Sequence, residues 1–270
     1  VHVSVAGGLH RGIERARDLG CGCCQLFSHN PRGWSTPPLA PGERDLFLAA
    51  RSAHDISPVF VHAPYLLNIS SPDDALRTRS ALALRTEMRR AADLGAEYVV
   101  LHTGTAHDGG GIERAAQSIR EALAGETLAA GLLIENTSGK RGDVTPRVAD
   151  LAGIIALCEG LVAGVCIDTC HAHAAGYDLA TDDGRNRLLG EIAGELAPGA
   201  VRLIHLNDSR GPAGSGLDRH AHVGEGTIGT ASLRAFLTSP LLAEVPIVLE
   251  TPKETDEDDV RNLRAARELI

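Results

Sequence analysis

The sequence predicts an α/β fold, a single (β/α)8 TIM barrel over residues 1–270, and three observations predict it. Short β-rich runs alternate with longer helix-like segments, the pattern of a parallel sheet with crossover helices. Eight such units follow one another with no low-complexity stretch and no linker long enough to mark a domain boundary. A chain of 270 residues is a usual length for a closed barrel of this kind. An open doubly wound sheet is the competing architecture. Its glycine-rich dinucleotide fingerprint is missing after the first strand, where Gly7 and Gly8 stand as an isolated pair.

Taken in order, the strands are expected at Val1–Ser4, Cys23–Phe27, Pro58–His62, Tyr98–His102, Leu132–Glu135, Gly164–Asp168, Arg202–Leu206 and Pro246–Glu250. Helices are expected between them at 10–19, 42–54, 73–94, 111–129, 146–158, 183–196, 230–238 and 257–268. The third helix is the clearest. Leu76, Leu82, Leu84, Met88, Ala91, Ala92 and Leu94 recur near helical spacing with Arg and Glu between them. Ser71, Pro72 and Asp73 supply its N-terminal chemistry, and Gly95 stops it. The first strand starts at Val1 itself, so a few residues or an initiator Met are expected ahead of it.

The composition narrows the function. Aromatics are 3% of the chain, so Leu, Val, Ile and Ala must fill the core. No apolar run approaches the roughly 20 residues that span a bilayer, and no basic segment followed by an apolar one opens the chain. A cytoplasmic protein is expected. Cys21, Cys23, Cys24, Cys158, Cys166 and Cys170 lie in strands and helix ends, which suits reduced, mostly buried thiols better than a disulfide framework. Cys21, Cys23 and Cys24 lack the second pair that a zinc ribbon needs. The net charge of −9 counts against a nucleic-acid partner. Clustered acids holding divalent ions would reverse that locally.

The informative residues end the strands. His62, His102, Glu135, Asp168, His205 and Glu250 come from strands three to eight in succession. In a β/α barrel all these ends meet at one face, the one that carries active sites. A single His there is ordinarily a hydrogen-bonded structural residue, and a single Asp or Glu ordinarily caps the next helix. Six at equivalent places are not explained that way. Three imidazoles and three carboxylates brought together call for divalent cations, and a mixed N/O set suits zinc or manganese. His171, three residues past Asp168, and the Asp218-Arg219-His220 stretch offer a further site. His2 is expected inside the barrel, as a hydrogen-bonding support or in a direct role. His173 and His222 read as surface or supporting residues, and His54 and His107 as ordinary ones.

These residues fall in longer motifs. Val165-Cys166-Ile167-Asp168-Thr169-Cys170-His171, running on through Ala174-Ala175-Gly176-Tyr177-Asp178, resembles the central motif of the endonuclease IV family of abasic-site endonucleases. His205-Leu206-Asn207-Asp208-Ser209, Asp218-Arg219-His220, Gly224-Glu225-Gly226, Ile134-Glu135-Asn136-Thr137 and Leu249-Glu250-Thr251-Pro252 are similar to the same family. The resemblance begins at His2-Val3-Ser4 and covers essentially the whole chain.

The resemblance implies a barrel with three zinc ions, with manganese an alternative in part. It assigns His62, His102 and Glu135 to one ion. Glu135 is shared with a second, which adds Asp168, His205 and Glu250. The third takes His171, Asp218 and His220. The implied reaction is hydrolysis of the phosphodiester 5′ to an abasic site in duplex DNA, leaving a 3′-hydroxyl and a 5′-deoxyribose phosphate. The resemblance also makes Glu135 the candidate catalytic residue, positioning the hydrolytic nucleophile. Blocked 3′ ends are further expected substrates, and the chain is expected to work as a monomer. Asn30-Pro31-Arg32-Gly33-Trp34 and His62-Ala63-Pro64-Tyr65-Leu66-Leu67-Asn68 match loops that enter DNA, with Arg32, Tyr65 and Leu66 filling the gap left by a flipped nucleotide.

Two departures stand out. His29 replaces a Lys and puts one phosphate contact in question, and His102-Thr103-Gly104 replaces His-Pro-Gly. The competing enzyme is a metal-dependent sugar isomerase or epimerase on the same barrel, with one or two ions and a closed pocket. A non-catalytic damage-binding protein would be expected to lack a ligand.

Overall fold

The computed structural model describes residues 1–127 and 129–270, and of Asp256 the backbone alone. The chain runs α1 (Leu9–Asp18), β1 (Cys24–Leu26), α2 (Glu43–His54), β2 (Val59–His62), α3 (Asp74–Asp93), β3 (Tyr98–Leu101), α4 (Gly111–Leu123) and β4 (Gly131–Glu135). It continues through α5 (Val148–Leu157), β5 (Val162–Asp168), α6 (Thr169–Ala174), α7 (Asp182–Glu195) and β6 (Val201–His205). A two-stranded antiparallel ribbon, β7 (Asp208–Ser209) and β8 (His220–Ala221), precedes α8 (Thr230–Leu237), β9 (Ile247–Val248) and α9 (Asp256–Arg267).

The main sheet is parallel in the order β1-β2-β3-β4-β5-β6-β9. The first segment closes it. His2 N donates to Leu249 O at 2.9 Å, and Val3 N donates to Gln25 O at 2.8 Å, so this segment bridges the two outer strands. It forms one isolated bridge, His2 to Gln25, in place of the expected strand Val1–Ser4. The result is the near-closed (β/α)8 barrel that the alternation of elements predicts.

Side-chain parity divides the molecule into two cores. Phe60, Val100, Leu133, Cys166, Leu203 and Val248 form a buried layer inside the barrel. A larger cluster, including Leu26, Val61, Val99, Ile134, Ile167 and Ile204, lies between sheet and helices. Successive side chains of a strand point to opposite faces. The residue two places beyond each inner-layer member therefore also points inward. Those residues are His62, His102, Glu135, Asp168, His205 and Glu250. The strand period alone delivers all six to one end of the barrel.

Helix ends follow local chemistry. Asp73 caps α3, its carboxylate accepting from Ala75 N and Leu76 N at 2.9 and 3.1 Å. The helix expected over 111–129 stops at Leu123, just ahead of Gly125, whose φ is +73°. Residue 128 of that stretch lies outside the described residues. The short α6 starts where Asp168 accepts from His171 N at 2.8 Å, so the strand-end carboxylate also caps the helix that carries His171.

One loop glycine has a clear steric reason. Gly104 has φ +91°, and a Cβ there would lie 2.3 Å from Asn68 Oδ1 and 2.8 Å from Asn68 Cα. Asn68 ties the β2 and β3 loops together, accepting from Thr105 N and donating to Thr105 O, each at 3.1 Å. Gly104→Ala should lower stability by about 1–3 kcal/mol through backbone strain and overpacking. Urea unfolding measures this, and an unchanged midpoint would show that the loops relax.

Candidate metal centre

The strand ends converge into three adjoining groups of donor atoms, each group lying within 4.8 Å. They are His62, His102 and Glu135; Glu135, Asp168, His205 and Glu250; and His171, Asp218 and His220. Glu135 is completely buried and faces both ways. Its Oε2 lies 3.6 Å from His62 Nε2 and 2.9 Å from His102 Nε2. Its Oε1 lies 3.1 Å from His205 Nδ1 and 3.3 Å from His171 Nδ1. His205 Nδ1 is also 3.4 Å from Glu250 Oε2 and 4.0 Å from Asp168 Oδ2. Asp218 Oδ1 lies 3.2 Å from His171 Nε2 and 3.5 Å from His220 Nε2, and His220 Nε2 is 3.7 Å from Asp168 Oδ2.

These spacings suit cations. Two donors on a tetrahedral zinc, with bonds of about 2.1 Å, sit roughly 3.4 Å apart. The orientations agree. His62 Nδ1 is 2.7 Å from Ala63 O, His171 Nδ1 is 3.0 Å from Asn136 O, and His220 Nδ1 is 2.8 Å from Glu250 O. A ring N–H must serve each carbonyl, so in the neutral rings each Nε2 is a lone pair aimed at the cluster. His220 Nε2 and Glu135 Oε2 are buried without a hydrogen-bond partner. His102 Nε2 is close enough to Glu135 Oε2 for an ion pair, but no N–H points at that oxygen. Buried orphan atoms of this kind call for a partner, and a divalent ion suits both.

The electrostatics show how protons stand in for cations. Burial alone would raise Glu135, but the positive charges of His102 and His205 beside it hold it well below the usual carboxylate range. Burial would lower His171, yet Asp168, Asp218 and Glu135 push it well above 6.5. His205 is raised too, against its burial. Cys166 beside it is pushed up to about 12 by burial and stays a thiol, so we attribute the rise to Glu250 and Glu135. Cys166 lies within the same spacing of Glu135 and His205, and Cys170 of Asp168 and His220, and burial pushes both thiols up to about 12. All six cysteines are free, four of them buried.

Supporting amides come from the same strand ends. Asn136 Oδ1 accepts from Asp168 N at 2.7 Å. Asn207 donates to Asp168 Oδ2 at 2.6 Å and accepts from Glu250 N at 2.9 Å. Asn207 and Asn136 lie in the quoted motifs, but their sequence gives no hint of a role. Gln25 donates to Glu250 Oε1 at 2.6 Å and lies 2.9 Å from His205 Nε2. Its signal was an amide at an inward strand position. His2 lies beside it, 3.3 Å from Glu250 Oε1. His173, expected as a surface or a supporting residue, is buried and accepts from Leu179 N at 3.1 Å. His222 lies 3.0 Å from Asn262 Nδ2.

Around the cluster the loops are open. Tyr65 is exposed, its ring 5.5 Å from His62 and 5.2 Å from Phe27, while Leu66 is half-buried. A cavity of about 270 Å³ lies between Tyr65, His102, Thr137, Lys140, His171 and Asp218. A larger one, about 370 Å³, lies by Val1, Cys23 and Ile270 at the opposite end of the strands, away from every donor. Arg32 is exposed on a loop that α3 holds. Arg79 stacks 4.2 Å over Trp34, and Arg90 donates to Ser28 O at 2.9 Å and Pro37 O at 2.7 Å. His29 turns inward, 2.8 Å from buried Glu87, so in this structure it anchors the loop and is not placed to meet a phosphate.

The chain shares this architecture with known proteins. The pattern of a family described as a xylose isomerase-like TIM barrel matches residues 13–270. A protein called probable endonuclease 4 from Methanoculleus marisnigri is 43% identical over 278 residues, spanning 99% of this chain and 97% of that protein. The crystal structure of endonuclease IV from Thermus thermophilus superposes with a TM-score of 0.90 at 36% identity, covering 100% of this chain and 96% of that one. A D-tagatose 3-epimerase-like protein superposes at 0.74 with 18% identity over 99% of this chain and 96% of its own, which shows the shared fold alone.

Proposed function

The chain belongs to the endonuclease IV family of xylose isomerase-like TIM barrels, and from that premise we propose a DNA repair endonuclease that hydrolyses the phosphodiester 5′ to abasic sites in duplex DNA. The products are a 3′-hydroxyl and a 5′-deoxyribose phosphate. The observation that carries this reading is the third donor group, His171, Asp218 and His220, adjoining the two that share Glu135. Three groups suit three zinc ions, with manganese an alternative in part, and the nine side chains are their proposed ligands. When bound, the ions supply positive charge to the scissile phosphate and make water a stronger nucleophile near neutral pH.

The chain's own residues shape the rest. Glu135 presents one oxygen to each of two groups and so fixes where the hydrolytic nucleophile can stand. His62, His171 and His220, held by backbone carbonyls, keep their orientation without help from substrate. Tyr65 and Leu66 follow His62 on one loop, Arg32 is exposed on another, and their proposed role is to fill the gap left by an extruded nucleotide. Extrusion costs a few kcal/mol, and least where no base pair exists, so a missing base is its own recognition signal. Duplex DNA with abasic sites or blocked 3′ ends is the proposed substrate. We read residues 1–270 as one catalytic domain acting as a monomer. Among the described residues no helix is long and apolar enough to cross a membrane.

A sugar isomerase or epimerase is the second reading, favoured by the shared fold. It leaves the third donor group and the open loops without a task. The test is incision of a duplex carrying one tetrahydrofuran abasic analogue, with metals measured on the same preparation. That analogue resists β-elimination, so any cut is hydrolytic. Cleavage 5′ to the lesion with close to three metals per chain is expected. Fully loaded protein that leaves the duplex intact would overturn the reading and turn attention to ketoses.

A further inference from the structure

Gln25 lies in β1, completely buried and two residues beyond Cys23, which packs against the barrel's inner layer. Its amide reaches three polar neighbours. Nε2 is 2.6 Å from Glu250 Oε1 and 3.0 Å from His2 Nδ1, and Oε1 is 2.9 Å from His205 Nε2. An ionised carboxylate only accepts, so the amide must turn its NH2 toward Glu250. Its carbonyl oxygen then faces His205, and that oxygen also only accepts. His205 must therefore carry a proton on Nε2. In the neutral ring Nδ1 is left as the lone pair, and Nδ1 is the atom that faces Glu135, Glu250 and Asp168. This reverses the arrangement at His62, His171 and His220, where Nδ1 meets a carbonyl and Nε2 faces the cluster.

We propose that Gln25 is the positioning residue of the cation group formed by Glu135, Asp168, His205 and Glu250. One amide selects Nδ1 as the donor atom of His205 and holds the Glu250 carboxylate beside it. The proposal rests on reading that group as a cation site. It adds a residue that binds no cation yet determines which atom does.

The test compares the parent with Gln25→Met, which keeps the length of the side chain and removes both ends of the amide. Imidazole nitrogen NMR of the zinc-loaded parent should show His205 bound through Nδ1 and protonated at Nε2. Zinc titration of the Met variant should show about 10–100-fold weaker binding of one ion, the others unchanged, as when a hydrogen bond behind a ligand is removed. Gln25→Glu keeps an acceptor for His205 and should retain the Nε2 proton signal. Parent His205 bound through Nε2 would overturn the proposal. So would a Met variant that holds every ion as tightly as the parent. A parent that binds no zinc would overturn the cation reading itself, which the parent titration shows separately. If the Met variant does not fold, the parent spectrum alone decides.

Discussion

Replacing Glu135 with Gln should reduce hydrolysis of an abasic duplex by about a hundredfold to a thousandfold in kcat, the scale on which removing one charge stabiliser from a dry site costs about 3–4 kcal/mol. The change is nearly isosteric, so packing is retained. It removes the charge that His62 and His102 share on one side with His205 and His171 on the other. An amide has one acceptor oxygen, so its nitrogen must face one of those two imidazole groups with hydrogens in place of a lone pair. Two of the three donor groups are then weakened, and the group of His171, Asp218 and His220 is spared. Metal analysis should show fewer bound ions, with affinity for uncut abasic duplex changed far less than kcat. A variant that keeps full turnover would remove Glu135 from the mechanism.

The strand-end residues were legible in the sequence because a strand's period of two carries chemistry and packing together. Each inner-layer residue, such as Leu133 or Leu203, has its polar counterpart two places on, Glu135 or His205. Reading the ends of successive strands was enough to place those donors on one face. Gln25 obeys the same parity but sits in mid-strand, where an amide has no pattern around it and two of its partners, His205 and Glu250, are remote in sequence. The inward turn of His29 and of His173 was not legible for a related reason. Their partners, Glu87 and the Leu179 amide, are tertiary, and nothing local shows that either ring turns inward. The β7–β8 ribbon and α6 are too short for periodicity to register. Tertiary hydrogen bonds make them, such as Thr169 Oγ1 donating to Asn207 O at 2.7 Å.

Stripping the bound metals should abolish hydrolysis and lower Tm by on the order of 10 °C or more. A ligand at a thousand times its Kd stabilises a fold by about 4 kcal/mol, and in a domain near this size each kcal/mol moves Tm by roughly 2–4 °C. The size of the drop should depend on pH, with a definite sign. In the stripped chain His171 and His205 hold their protons well above the ordinary value of 6.5, chiefly against burial and through the surrounding carboxylates. The stabilisation from those raised groups is full below 6.5 and fades as pH rises through their folded values. Glu135 and Glu250 are depressed below 4.5 despite burial, by the imidazoles around them, so their contribution is present above 4.5 and lost in acid. Stripped protein is therefore helped most between about 4.5 and 6.5, where protons occupy the place of cations. Loaded protein gains as pH rises, because an ion must displace those protons to bind. The difference in Tm between loaded and stripped protein should be largest above neutrality and narrow toward pH 5. Calorimetry of both forms across that range measures it directly. A difference that widens in acid would mean that the ions, where they bind, do not use these histidines.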